Sequence, residues 1–164
     1  MQTHLRIQDR TYPAIEGTVL AFDFGEKRIG VAMGESILKI AHPLMTINSE
    51  INDVRFLQIQ TLIQEWRPAL LVVGLPLSVD GEEHAMTKLS RKFAQRLEGR
   101  FSLPVALVDE RFSSTEASLS LKQAGVHGKA QKVMIDQVAA QTILQSYFDQ
   151  LPLLLNALTV NQTP

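Results

Sequence analysis

The stretch Thr18-Val-Leu-Ala-Phe-Asp-Phe-Gly25 decides how this chain folds. It is apolar on both alternating faces until Asp23, which is the pattern of a strand buried in the middle of a sheet. An ionised carboxylate in such a strand costs far more than strand propensity returns, unless it is paired or holds a metal. Asp23 therefore raises the question of which residues the rest of the chain brings to it.

Working outward, Gly25-Glu26-Lys27 reads as a tight turn. Arg28 to Gly34 follows at once and is expected as the antiparallel partner of a hairpin. Ile40 to Ile47 is a third strand, placed at an edge by Pro43. Ile59, Leu62, Ile63 and Trp66 then recur at helical spacing, and Pro68 closes that helix. Ala69 to Val73 is a fully apolar strand, followed by a loop from Gly74 to Gly81. Met86, Leu89, Phe93 and Leu97 mark the buried stripe of a second helix, and Val105 to Val108 form a fifth strand. Ser113-Ser-Thr-Glu116 has capping-box spacing for a further helix ending near Gly125. A polar, basic loop from Val126 to Lys132 leads to a final helix over Val133 to Gln150. The order βββαβαβαα predicts an α/β protein with a mixed five-stranded sheet and helices on both faces. The first, fourth and fifth strands form its parallel centre.

Composition bounds the possibilities. A chain of 164 residues that is 45% hydrophobic has material for one domain with a real core, which excludes global disorder. The absence of cysteine excludes disulfides and thiolate metal sites, and fits a reducing compartment. The polar start, Met1 to Glu16, lacks the apolar core of a signal peptide, and no segment reaches membrane-spanning length. We read 1–17 as an N-terminal extension, 18–151 as the domain and 152–164 as a tail. A net charge of −1 leaves any polyanion to a local basic patch.

Two further acids stand where Asp23 needs partners. The fifth strand ends in Asp109-Glu110-Arg111, and ligands of open α/β sheets gather outside the carboxyl ends of parallel strands. Glu110 is read either as part of such a site or as a strand-end charge bridged to Arg111. Projected at 3.6 residues per turn, the last helix groups Asp136 with Ala139, Ala140, Ile143 and Tyr147, opposite Gln137, Gln141 and Gln145. The helix dipole explains an acid in a first turn, but not on the apolar arc. Three such acids facing one point suit a hard cation, Mg²⁺ or Mn²⁺, and phosphodiester hydrolysis. His4, His42, His84 and His127 lack zinc-ligand spacing.

Four motifs, in order, carry a resemblance: Asp23-Phe-Gly-Glu-Lys-Arg-Ile-Gly-Val-Ala32; Val73-Gly-Leu-Pro76 with Asp80-Gly81; Asp109-Glu-Arg-Phe-Ser-Ser-Thr-Glu-Ala117; and Ile135-Asp-Gln-Val-Ala-Ala140 with Ile143, Leu144 and Tyr147. From Val19 to Leu151 the chain resembles the YqgF (RuvX) family. Its members are described as pre-16S rRNA nucleases and, under older labels, as Holliday junction resolvases. The resemblance implies a ribonuclease-H-like fold, with Asp23, Glu110 and Asp136 on the acidic, metal-holding active-site positions. It also places Arg28 on the arginine of the Arg-Ile-Gly-Val-Ala segment, suited to a phosphate or a carboxylate. Ser114 and Thr115 fall on a hydroxyl-rich turn that binds a phosphate or caps a helix.

Candidate substrate contacts are Lys27, Arg28 and Thr115, with Lys129 and Lys132 in the basic loop. Lys88, Arg91, Lys92, Arg96 and Arg100 read as a solvated helix face. The expected activity is that of a cytoplasmic, metal-dependent nuclease, a monomer or homodimer, acting on structured RNA at the 5′ region of precursor 16S rRNA. Branched DNA is the alternative substrate. Two remoter readings are an actin- or Hsp70-like nucleotide-binding hairpin, for which the chain has one domain where two are needed, and a non-catalytic RNA-binding assembly factor.

Overall fold

The computed structural model describes residues 4–7, 10–13, 15–110 and 128–160, with side chains described over 15–110 and 132–151. The strands are β1 (His4–Ile7), β2 (Arg10–Pro13), β3 (Thr18–Phe24), β4 (Ile29–Glu35), β5 (Ile40–Ile47), β6 (Leu70–Leu75) and β7 (Val105–Asp109). The helices are α1 (Asn52–Trp66), α2 (Ala85–Phe101) and α3 (Gly128–Val160). Within the N-terminal extension, β1 and β2 pair antiparallel as a separate two-stranded sheet. The other five strands form one mixed sheet in the order β5-β4-β3-β6-β7.

Short connections dictate the antiparallel half of this sheet and helical crossovers the parallel half. The turn between Phe24 and Ile29 folds β4 back on β3, whereas α1 and α2 return the chain so that β6 and β7 run parallel to β3. Pro43 lies on the edge strand, where the pairing passes from Val31↔Met45 to Ala32↔Pro43 and leaves Leu44 as an extra residue. A proline without an N–H is accommodated at such a bulge.

The faces of the sheet differ in side-chain size. One face presents Leu20, Phe22, Leu71, Val73 and Leu107 to Phe56 and Ile59 of α1 and to Phe93 and Leu97 of α2. The other presents Ala21, Ala32, Ala41 and Ala106, and α3 packs on it through Ala140, Ile143, Leu144, Tyr147 and Phe148. Small residues let α3 approach closely. A Cβ on Gly34 would stand 2.8 Å from the Phe148 ring, which is fully buried there.

Four details depart from the sequence reading. First, β6 continues through Gly74 to Leu75 instead of ending at Val73. Second, α2 buries Thr87, Ser90, Phe93, Ala94 and Leu97 and leaves Leu89 37% exposed. The Thr87 hydroxyl donates to the Pro76 carbonyl and accepts from the His84 N–H, which sets the rotation of the first turn. Third, α3 begins at Gly128 and runs through Pro152 to Val160. Pro152 removes one helical hydrogen bond, while leucines on both sides favour the helix. Fourth, Gln141 and Gln145 do not face away from the sheet. They bond the backbone of edge strand β5, Gln141 Nε2 donating to the Ala41 carbonyl at 3.1 Å and Gln145 Oε1 accepting from the Ala41 N–H at 3.0 Å. The helix expected over 113–125 lies outside the described residues. Among the described residues no helix is long and apolar enough to cross a membrane.

Candidate active site

Strand parity places the acids. Val19 and Ala21 of β3 belong to the α3 face, so Asp23, two residues on, points to the same side. Ala106 and Val108 of β7 also belong to that face, and Glu110 follows with the same parity. Strand β6 separates β3 from β7, so the two carboxylates start from backbones roughly 10 Å apart. Gly74 closes that distance. A Cβ there would stand 2.4 Å from Glu110 Oε2 and 2.4 Å from Ile143 Cδ1. The glutamate occupies the space a side chain on β6 would fill and reaches across to share a hydrogen bond with Asp23.

A second glycine seats the third acid. Gly30 is the partner of Asp23 across the hairpin, and a Cβ on it would lie 1.9 Å from the Asp136 carbonyl oxygen. Here α3 touches bare backbone, which brings Asp136 over the strand beside Asp23. Its Oδ2 accepts a hydrogen bond from Arg28 Nε at 2.7 Å, and both side chains remain partly open to solvent.

The electrostatics follow from this crowding. Burial pushes the Asp23 carboxyl well above the ordinary aspartate range, and the charges of Glu110 and Asp136 raise it further. Burial and then the charge of Asp109 raise Glu110 to about 7, partly offset by its hydrogen bond to Asp23. Near neutral pH the two carboxylates thus compete to hold a proton between them. A site that resists two negative charges and offers only oxygen donors suits a hard divalent cation. Among the described residues, no three acids or histidines stand together in a metal-holding group. The fit rests on the Asp23–Glu110 pair, with the Asp136 oxygen engaged by Arg28.

Arg55, which the sequence reading passed over, organises the loops around the site. It is 3% exposed on the buried stripe of α1. Its Nη2 donates to the carbonyls of Gly25 and Glu26 at 2.8 and 2.6 Å, and its Nε donates to the Ser49 carbonyl. It therefore ties the turn between Asp23 and Arg28 to the end of β5. The available signal was an arginine four residues before Ile59, a charge at a core position like Asp23 itself.

The remaining candidates are dispersed. Lys27 is exposed on the β3–β4 turn. Lys132 is exposed on α3 and lines a pocket with Arg28, Asn48 and Val133. Lys129 belongs to the first turn of α3, but its side chain lies outside the described residues, as do Ser114, Thr115 and His127. The basic residues of α2 lie on the face away from the acids. Lys88, Lys92, Arg96 and Arg100 are exposed, and Arg91 pairs with Glu83.

Comparison with known proteins agrees with this architecture. A family model described as "RuvX: Holliday junction resolvase" matches residues 17–150. A protein of Methylobacillus flagellatus named "Putative pre-16S rRNA nuclease" is 67% identical over 135 residues, 82% of this chain and 92% of the relative. One of the same name from Nitrosomonas europaea is 57% identical over 136 residues, 83% of this chain and 92% of its own length. Among solved structures, T. thermophilus RuvC in complex with a Holliday junction substrate superposes with a TM-score of 0.51 at 12% identity, covering 84% of this chain and 96% of that one. At that identity the likeness speaks for the ribonuclease-H-like fold alone.

Proposed function

The chain belongs to the RuvX family, and from that membership we propose that it is a metal-dependent nuclease that matures the 5′ region of precursor 16S rRNA in the cytoplasm. The observation that carries this reading is the Asp23–Glu110 carboxyl pair, held in contact over Gly74 with Asp136 and Arg28 beside it. Relatives over half identical along most of their length bear the corresponding name.

Asp23 and Glu110, with Asp136 alongside, are the residues that would hold Mg²⁺ or Mn²⁺. Such an ion, when bound, lowers the pKa of water and offsets charge on the phosphate. The chain's own groups supply the rest. The two central carboxylates are pre-positioned by β3 and β7, so they need little reorganisation to act. Arg28 presents a planar fork suited to phosphate oxygens while its Nε holds Asp136. Lys27, Lys129, Lys132 and Thr115 complete the proposed substrate contacts. Hydrolysis adds water across the phosphodiester and leaves a 5′-phosphate and a 3′-hydroxyl.

The test is cleavage of a precursor-rRNA fragment in Mn²⁺ by wild type and Asp23→Asn. The variant is expected to lose at least a hundredfold in rate, and equal rates would remove Asp23 from the reaction. A second reading, resolution of branched DNA, draws on the family description. A four-way junction assayed in parallel separates the two, because cleavage of the junction with the RNA left intact would favour it.

A further inference from the structure

Arg28, Asn48, Lys132 and Val133 line an open pocket of about 270 Å³. That is smaller than the roughly 300–1,000 Å³ of sites that enclose drug-sized ligands. Among the described residues its polar lining is two cations and one amide, beside a centre made of carboxylates. Arg28 joins the two regions. Its Nε is committed to Asp136, and among the described residues neither terminal nitrogen of its guanidinium has a protein partner. Asn48 follows the last residue of β5, at the end of the sheet where β3 delivers Asp23.

The walls are fixed to one another, so the pocket is more than a gap between surface chains. Arg55 bonds Gly25 and Glu26 on the Arg28 side and Ser49 beside Asn48 on the other. The Thr46 hydroxyl donates to the Val133 carbonyl at 3.1 Å, which pins α3 to β5 at the third wall. A buried arginine with three carbonyl acceptors holds such loops firmly.

We propose that this pocket is the subsite for a phosphodiester group of the same nucleic-acid strand, adjoining the group at the carboxylates, with Asn48 and Lys132 as its contacts and Arg28 shared between the two positions. Two cations and an amide donor match phosphate oxygens, and the amide adds directional hydrogen bonding that a lysine lacks. A polyanion held at two consecutive phosphates would be oriented as well as attracted. The inference rests on the nuclease reading for its substrate, but binding tests it separately from cleavage.

The experiment measures binding of a fluorescent precursor-rRNA fragment in chelator, where no cleavage occurs, against salt concentration. Asn48→Asp, a change at an exposed position, is expected to weaken binding about tenfold by placing a carboxylate against the phosphate. Lys132→Gln is expected to weaken it several-fold and to lower the slope of log affinity against log salt by about 0.7 to 0.9. Gln60→Ala, exposed on α1 across the sheet, is the control and should bind as wild type does. Wild-type binding by both Asn48→Asp and Lys132→Gln, or no binding by any form, would overturn the subsite. Weakened binding by the variants together with an RNA that wild type cannot cleave in Mn²⁺ would sustain the subsite and sink the nuclease reading.

Discussion

Metal-free protein should be strained by its own active site, and Glu110→Gln should relieve that strain in a pH-dependent way. The glutamate carboxyl is raised from an ordinary 4.5 to about 7, chiefly by burial and then by Asp109. In the folded state it therefore binds a proton that the unfolded chain releases. Its contribution to stability is complete below about pH 4.5 and is lost as pH rises through about 7. At 1.36 kcal/mol per pH unit the loss is on the order of 3 kcal/mol, an upper value for a partly accessible group in a relaxing site. Glutamine keeps the shape and a donor toward Asp23 but carries no charge. In EDTA the variant should match wild type to within about 1 kcal/mol at pH 5. It should exceed wild type by about 2–3 kcal/mol at pH 8.5. For a domain of this length the latter is a rise of very roughly 5–10 °C in Tm. Urea denaturation at several pH values gives the free energies directly. Added Mn²⁺ should reverse the order, stabilising wild type by mass action and the variant little. A variant–wild-type difference that stays constant from pH 5 to 8.5, or a variant less stable than wild type at pH 8.5, would refute the reasoning.

The two site glycines should fail in different ways. Gly74→Ala sets a methyl 2.4 Å from the Glu110 carboxylate and the Ile143 tip, both of which can shift, so about 1–3 kcal/mol of stability and most activity should be lost together. Gly30→Ala meets the Asp136 backbone at 1.9 Å, where nothing can turn aside. We expect a larger loss, with α3 displaced from the sheet and amide hydrogen exchange along α3 reporting it. Gln145→Ala removes the acceptor of the Ala41 N–H and the donor to Lys39. It should cost about 1–2 kcal/mol and speed amide exchange at Ala41, and unchanged exchange there would show that the edge strand does not depend on α3.

The legible part of the fold was the part written in local pattern. Uninterrupted apolar runs marked β3, β6 and β7, helical spacing marked α1 and α3, and Pro43 marked an edge. The misreadings had a common cause. Leu89 fitted a stripe by spacing, yet the first turn of α2 is rotated by the Thr87 bond to the carbonyl of Pro76, eleven residues earlier in the loop after β6. Gln141 and Gln145 looked solvent-facing because helical projection does not show that α3 overhangs an edge strand with backbone groups to satisfy. Arg55 was passed over because its partners are backbone carbonyls, which leave no trace in residue type.

The three acids divide along the same line. By itself the sequence determined that Asp23 lies in a buried strand, that Glu110 ends a parallel one and that Asp136 sits on an apolar helix arc, because alternation and helical period are properties of neighbouring residues. Only the tertiary structure decided that Glu110 crosses β6 to meet Asp23 and that Asp136 is held by Arg28. Those meetings depend on register between strands and on how closely a helix can approach them. Gly74 and Gly30 control both by the absence of a side chain, and what an absent side chain admits is known only once the opposing residue is in place.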